Sequence, residues 1–111
     1  MKKLSVETLA VHAGEPREKI CGSVNLPIFQ SATYLYTGET SYEDLKYIRL
    51  NNTPNHLALS QKLEALEEGE SAMVAASGMA AISDSLLAFL ESGDHIIAQN
   101  CIYGGTRNLI T

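Results

Sequence analysis

No apolar run in this 111-residue chain approaches the length needed to span a membrane. Met1-Lys2-Lys3-Leu4 carries the charge of a secretory leader, but Glu7 and His12 interrupt the apolar stretch that a leader requires. Basic residues are few and scattered, 8 against 13 acidic for a formal charge of −5, so no footprint for nucleic acid or an anionic membrane exists. Cysteine is scarce as well. Cys21 and Cys101 lie far apart in no C-x-x-C pattern, which reads as two thiols in a reducing compartment. These absences describe a soluble, cytoplasmic protein. His12, His56 and His95 show no metal-ligand spacing with the cysteines, so no metal site is expected. A P-loop is missing, and so are a G-x-G-x-x-G fingerprint and a G-x-S-x-G nucleophile elbow. What is present is a globular composition, 45% apolar and 19% charged, in a length that supports one domain at most.

The character of the sequence changes near Leu50. Residues 1–50 are turn-rich, with a short helix expected from Leu4 to Val11 and a further helical turn from Glu43 to Tyr47. Fifty residues with so little periodicity are unusual in a compact domain and suit an arm laid across another subunit or domain. Residues 51–111 are regular. Thr53-Pro54 reads as an N-cap with proline at the first helical position, and Leu59, Leu63 and Leu66 share one helical face that Gly69 closes. The continuous apolar run 72–76 predicts a strand covered on both faces. A helix follows from Met79 to Leu90, then a turn at Gly93-Asp94, a second buried strand over 95–99, and a helix opening at Gly104. Strand, helix, strand with short links is a βαβ unit, the start of a parallel α/β sheet. Two strands cannot complete such a sheet, so a truncated chain is expected.

Chemistry concentrates where a predicted strand meets a helix. Ala76-Ser77-Gly78-Met79 places small residues at the C-terminal edge of a parallel strand, where open α/β sheets bind ligands. The turn also opens a helix, whose free N–H groups and positive dipole end favour a phosphate. Gly78 can adopt a conformation denied to other residues. Tight packing for steric reasons alone explains the turn equally well. The second strand ends in Gln99-Asn100 rather than an acidic residue, so a phosphate cofactor suits better than a dinucleotide. Tyr47-Ile48-Arg49, read as extended, would point phenol and guanidinium to one side, where both could meet an anion. Tyr103, directly after the second strand, could stack on a flat heteroaromatic cofactor or transfer a proton.

Together these motifs resemble the Cys/Met-metabolism family of pyridoxal-phosphate enzymes, which includes cystathionine γ-synthase, the cystathionine lyases, methionine γ-lyase and the O-acylhomoserine sulfhydrylases. The resemblance runs through Thr8-Leu9-Ala10-Val11-His12-Ala13-Gly14, Pro27-Ile28, Ser31-Ala32-Thr33-Tyr34, Tyr47-Ile48-Arg49, Ser77-Gly78-Met79-Ala80-Ala81-Ile82 and Tyr103-Gly104-Gly105-Thr106, in the family's order. It implies an aspartate-aminotransferase-like fold. Residues 1–50 would be an inter-subunit arm, and residues 51–111 the beginning of the large mixed or parallel-sheet cofactor domain. It implies pyridoxal 5'-phosphate as cofactor, with Ser77, Gly78 and Met79 at its phosphate and Tyr103 stacked on its ring near the reacting amine. Tyr47 and Arg49 would reach the phosphate of an adjacent subunit in a homotetramer. One departure stands out. The family often has Asn-Pro-Thr after Tyr-x-Arg, whereas this chain has Asn51-Asn52-Thr53-Pro54-Asn55, which leaves the turn of the arm open at this point.

The resemblance also implies that the Schiff-base lysine, the aspartate at the pyridine nitrogen and the arginine for the substrate carboxylate lie beyond Thr111. None of the lysines present matches a functional position of the family. The function expected is that of the first part of a lyase or transferase performing β/γ-elimination or γ-replacement on cystathionine, O-acylhomoserine or related sulfur amino acids. The segment alone is expected to be inactive. Two rivals are a complete, non-catalytic phosphate-binding α/β module and an interaction domain that binds no pyridoxal phosphate.

Overall fold

The computed structural model describes residues 4–111. Four α-helices occur among them: α1 (Val6–His12), α2 (Pro54–Glu67), α3 (Gly78–Leu87) and α4 (Gly104–Ile110). Single 3-10 turns lie at Ile20–Gly22 and Ile48–Leu50. The chain divides into two units, the first ending at Val74 and the second running from Ala75 to Thr111.

The first unit is organised by α2. Ser5 caps α1, its hydroxyl accepting the Thr8 N–H at 3.4 Å. In the first turn, bonding from its own backbone N–H and then from the Ser5 hydroxyl holds the Glu7 carboxyl below its ordinary range. At the other end Lys62 of α2 donates to the Val11 carbonyl at 3.1 Å, satisfying one orphan group of α1. Gly14, two residues after α1, lies against the backbone of α2. It sits at φ +75°, and a Cβ there would run into the Ala58 carbonyl oxygen. Only glycine meets both demands.

The arm before α2 is irregular, yet side chains hold it. The Glu15 carboxylate accepts the Leu26 N–H at 2.9 Å. Asn55, in the first turn of α2, accepts the Phe29 N–H at 2.7 Å and donates to the Pro27 carbonyl at 3.0 Å. Asn52 treats residues 45–47 in the same way, accepting from Tyr47 N–H at 2.8 Å and donating to the Leu45 carbonyl at 2.5 Å. The helical turn expected at Glu43–Tyr47 is therefore not formed. Tyr42–Asp44 makes a turn instead, because the Leu45 carbonyl and Tyr47 N–H that a continuing helix would use are taken by Asn52.

Thr53 is the N-cap residue of α2 and Pro54 is at its start, as the sequence predicts. The Thr53 hydroxyl does not cap, however; it pairs with His56 Nδ1 at 2.5 Å. The left-handed residue that ends α2 is Glu68, at φ +55°, rather than the expected Gly69, whose N–H bonds back to Glu64 at 3.0 Å. Glycine is favoured at such a position but not obligatory.

The second unit packs α4 against α3. Helix α3 ends at Leu87, not Leu90, with Leu90 N–H still bonded to the Leu86 carbonyl at 3.0 Å. Residues 72–76 and 95–99, both expected as strands, are irregular, and no strand occurs among the described residues. A strand exists only through its ladder, and an apolar pattern supplies the coverage signal but not the partner. The side chains show the consequence. Met73 is 67% exposed and Phe89 86%, while Thr53 is the one buried residue among those described. No described helix is long and apolar enough to cross a membrane.

Candidate functional site

In the second unit, Ser77 is the N-cap residue of α3. Its hydroxyl accepts the Ala80 N–H at 3.1 Å and its carbonyl accepts the Ala81 N–H at 3.0 Å. The Ala81 bond is the first of the helix itself and the Ser77 hydroxyl takes the free N–H of Ala80, so the N–H groups of Gly78 and Met79 have no hydrogen-bond acceptor among the described residues. Gly78 is already helical and is not among the glycines at positive φ, so it does not use the conformation open to glycine alone. Its use is spatial. A Cβ on Gly78 would meet nothing within 4 Å, so the missing methyl leaves open room beside two unused donors.

That room is the mouth of a cavity of about 450 Å³ lined by Ser77, Gly78, Met79, Ile82 and Tyr103. The volume falls within the range of small-molecule sites, about 300–1,000 Å³. Tyr103 precedes α4 and is 71% exposed. Its ring lies over Gly105, where a Cβ would stand 2.6 Å from Tyr103 Cε1 and 3.1 Å from Met79 Sδ. Thr106 ties the same turn to α3 by donating to Met79 Sδ at 3.9 Å. A flat aromatic face, two N–H donors at a helix start and a glycine without bulk suit a planar, phosphorylated ligand. Sequence reasoning joined Ser77, Gly78, Met79 and Tyr103, and the structure brings these together. It did not assign roles to Gly105 or Thr106, whose contribution depends on where the Tyr103 ring and Met79 sulfur come to rest.

Tyr47 and Arg49 belong to the first unit. The segment is not extended as read from the sequence: Tyr47 precedes the 3-10 turn Ile48–Leu50. The two side chains converge all the same, with the Arg49 guanidinium 4.7 Å from the centre of the Tyr47 ring. A guanidinium over an aromatic face keeps its outward N–H groups available to an anion. Asn51 closes the turn in the left-handed conformation, at φ +55°, and its amide donates to the Val74 carbonyl at 2.7 Å. The departure at Asn51-Asn52-Thr53 is thus a set of polar ties between the turn after Arg49 and the start of α2.

Residues 7–111 match the model of the Cys/Met metabolism PLP-dependent enzymes. The chain is 42% identical over 102 residues to "Probable cystathionine gamma-synthase" of Herpetosiphon aurantiacus, covering 92% of the chain and 31% of that protein. It is 37% identical over 117 residues to L-methionine gamma-lyase of Fusobacterium nucleatum subsp. polymorphum, covering 98% and 29%. Against cystathionine beta-lyase of Lactococcus lactis subsp. cremoris (strain MG1363) it is 35% identical over 106 residues, covering 96% and 27%. The chain therefore spans less than a third of the length of these relatives. No solved structure matches it. The expected cofactor is pyridoxal 5'-phosphate, and the family match over nearly the whole chain makes this protein a member of the Cys/Met-metabolism family of pyridoxal-phosphate-dependent enzymes.

Proposed function

We propose that this chain supplies the cofactor-phosphate and ring contacts of a longer transsulfuration enzyme. Two features support the reading. The relatives are about three times longer than the chain, and Met73, Phe89 and Ile97 are largely exposed, as side chains awaiting cover from further polypeptide would be. In the whole enzyme, residues 1–50 form an arm and residues 51–111 open the cofactor domain, with 72–76 and 95–99 completed as strands by neighbours. The same exposure disfavours a self-contained phosphate-binding module.

The roles follow from chemistry. Gly78 and Met79 donate their free N–H groups to the phosphate, and the α3 dipole adds to the attraction. Ser77 shapes that start by holding the Ala80 N–H. Arg49 neutralises the phosphate with a fork of donors, and Tyr47 adds an O–H, both offered to the site of an adjacent subunit. The Tyr103 ring would stack on the pyridine when the cofactor is bound, and its hydroxyl would be the group to take or return a proton. When bound, pyridoxal phosphate supplies the electron sink for β- or γ-elimination or γ-replacement on a sulfur-containing or O-acylated amino acid.

The observation that carries this reading is the pair of unused N–H groups at Gly78 and Met79, opening on a cavity bounded by Tyr103. Titrating the full-length apoprotein with pyridoxal phosphate tests it. Saturable binding that Gly78→Val abolishes is expected, and binding unaltered by that substitution contradicts it. The 111-residue chain alone should cleave no cystathionine.

A further inference from the structure

We propose that Asn52 is the positioning residue that presents Tyr47 and Arg49 to the cofactor phosphate, an inference that rests on the role given to this pair above. The side-chain amide of Asn52 sets an acceptor oxygen beside a nitrogen that donates through two N–H groups. It spends both on one edge of the preceding backbone: Oδ1 accepts the Tyr47 N–H at 2.8 Å, and Nδ2 donates to the Leu45 carbonyl at 2.5 Å. A carbonyl and the N–H two residues later are the groups a neighbouring strand would engage. Asn52 therefore acts as a one-residue strand.

The other backbone group of Tyr47 is also occupied, its carbonyl accepting the Leu50 N–H at 3.0 Å. Tyr47 is thus held on both sides, and its ring lies against the Arg49 guanidinium. Asn52 is itself anchored, because Thr53, directly after it, is buried and is the N-cap residue of α2. The amide thereby transmits the position of a rigid helix to the tyrosine and arginine. Asn55 makes the same pair of bonds to Pro27 and Phe29 from the next turn of the chain, so the device is used twice around one helix start. Neither bond of Asn52 reaches outward to a ligand, which makes its effect on binding indirect.

Cofactor affinity of the full-length apoenzyme tests the proposal, measured by pyridoxal-phosphate titration for wild type, Asn52→Ala, Asn52→Asp, Arg49→Ala and the double variant Asn52→Ala/Arg49→Ala. Losing the two bonds should weaken binding about tenfold in Asn52→Ala. Asn52→Asp keeps the acceptor for Tyr47 but loses the donor to Leu45, and should fall between wild type and Asn52→Ala. If Asn52 acts through the pair, the double variant should bind no worse than Arg49→Ala alone. Wild-type affinity in Asn52→Ala, or an effect that adds in full to that of Arg49→Ala, overturns the proposal. Insolubility of both Asn52 variants beside a soluble Arg49→Ala also overturns it, by making Asn52 a residue of the fold alone. An unchanged affinity in Arg49→Ala defeats the underlying assignment of the pair, a failure distinct from the others.

Discussion

Tyr47 sits on a backbone whose N–H is taken by Asn52 and whose carbonyl is taken by Leu50. Gly78 and Met79 sit on a backbone whose N–H groups find no acceptor among the described residues. One region spends its backbone on fixing two long side chains in place. The other keeps its backbone free and clears side chains away. Under the proposed function, both are ways to meet an anion. A guanidinium on a flexible stem gains from a fixed base, whereas a helix start is already rigid and gains from access.

Substitutions at glycine separate the two designs, starting with the largest effect. In the first unit, Gly14→Ala places a methyl group against Ala58 and strains a residue at φ +75°. It should cost on the order of 3 kcal/mol in stability. Chemical denaturation of the full-length protein checks this, and an unchanged midpoint would mean that α1 and α2 do not meet through that glycine. In the second unit, Gly78→Ala meets nothing in the chain. It should leave the apoprotein melting temperature within a few degrees while weakening pyridoxal phosphate about tenfold. A matching loss of stability would erase the distinction between the two regions.

Gly105→Ala probes the cavity from its other side. The added methyl crowds the Tyr103 ring and Met79 sulfur, and moving one aromatic contact should change cofactor affinity about threefold. A shift in the visible absorbance of bound cofactor should accompany it; an unaltered spectrum would place the ring elsewhere in the holoenzyme. Ser77→Ala is the mildest. It removes the cap on Ala80 and should lower stability by about 1 kcal/mol, read from the melting temperature of the apoprotein.

Helix starts were the most legible part of the fold. Helix α2 begins at Pro54 directly after Thr53, as read, and α3 begins at Gly78, one residue before the expected Met79, because proline at a first turn and a polar residue before a helix are local signals. Ser77 and Tyr103 were joined in the sequence through two strand ends on one sheet edge; they come together instead as the residues immediately before α3 and α4. The helical turn read into 43–47 failed because its competitor lies downstream. Asn52 takes the Leu45 and Tyr47 backbone groups, and propensity within 43–47 contains no trace of that. The convergence of Tyr47 with Arg49 was anticipated, but through alternation along a strand rather than across a 3-10 turn. The runs 72–76 and 95–99 announce apolar cover without naming what provides it.

The central claim is that Arg49 serves the phosphate of a neighbouring subunit while Gly78 serves that of its own. Hybrid oligomers test this most directly, made by co-expressing full-length Arg49→Ala with full-length Gly78→Val. Each variant alone should bind pyridoxal phosphate poorly. If the site is shared across a two-fold interface, random mixing restores about a quarter of the sites to wild-type affinity. Recovery of that tight-binding fraction is the predicted result. A mixture that binds no better than its two components would contradict the account.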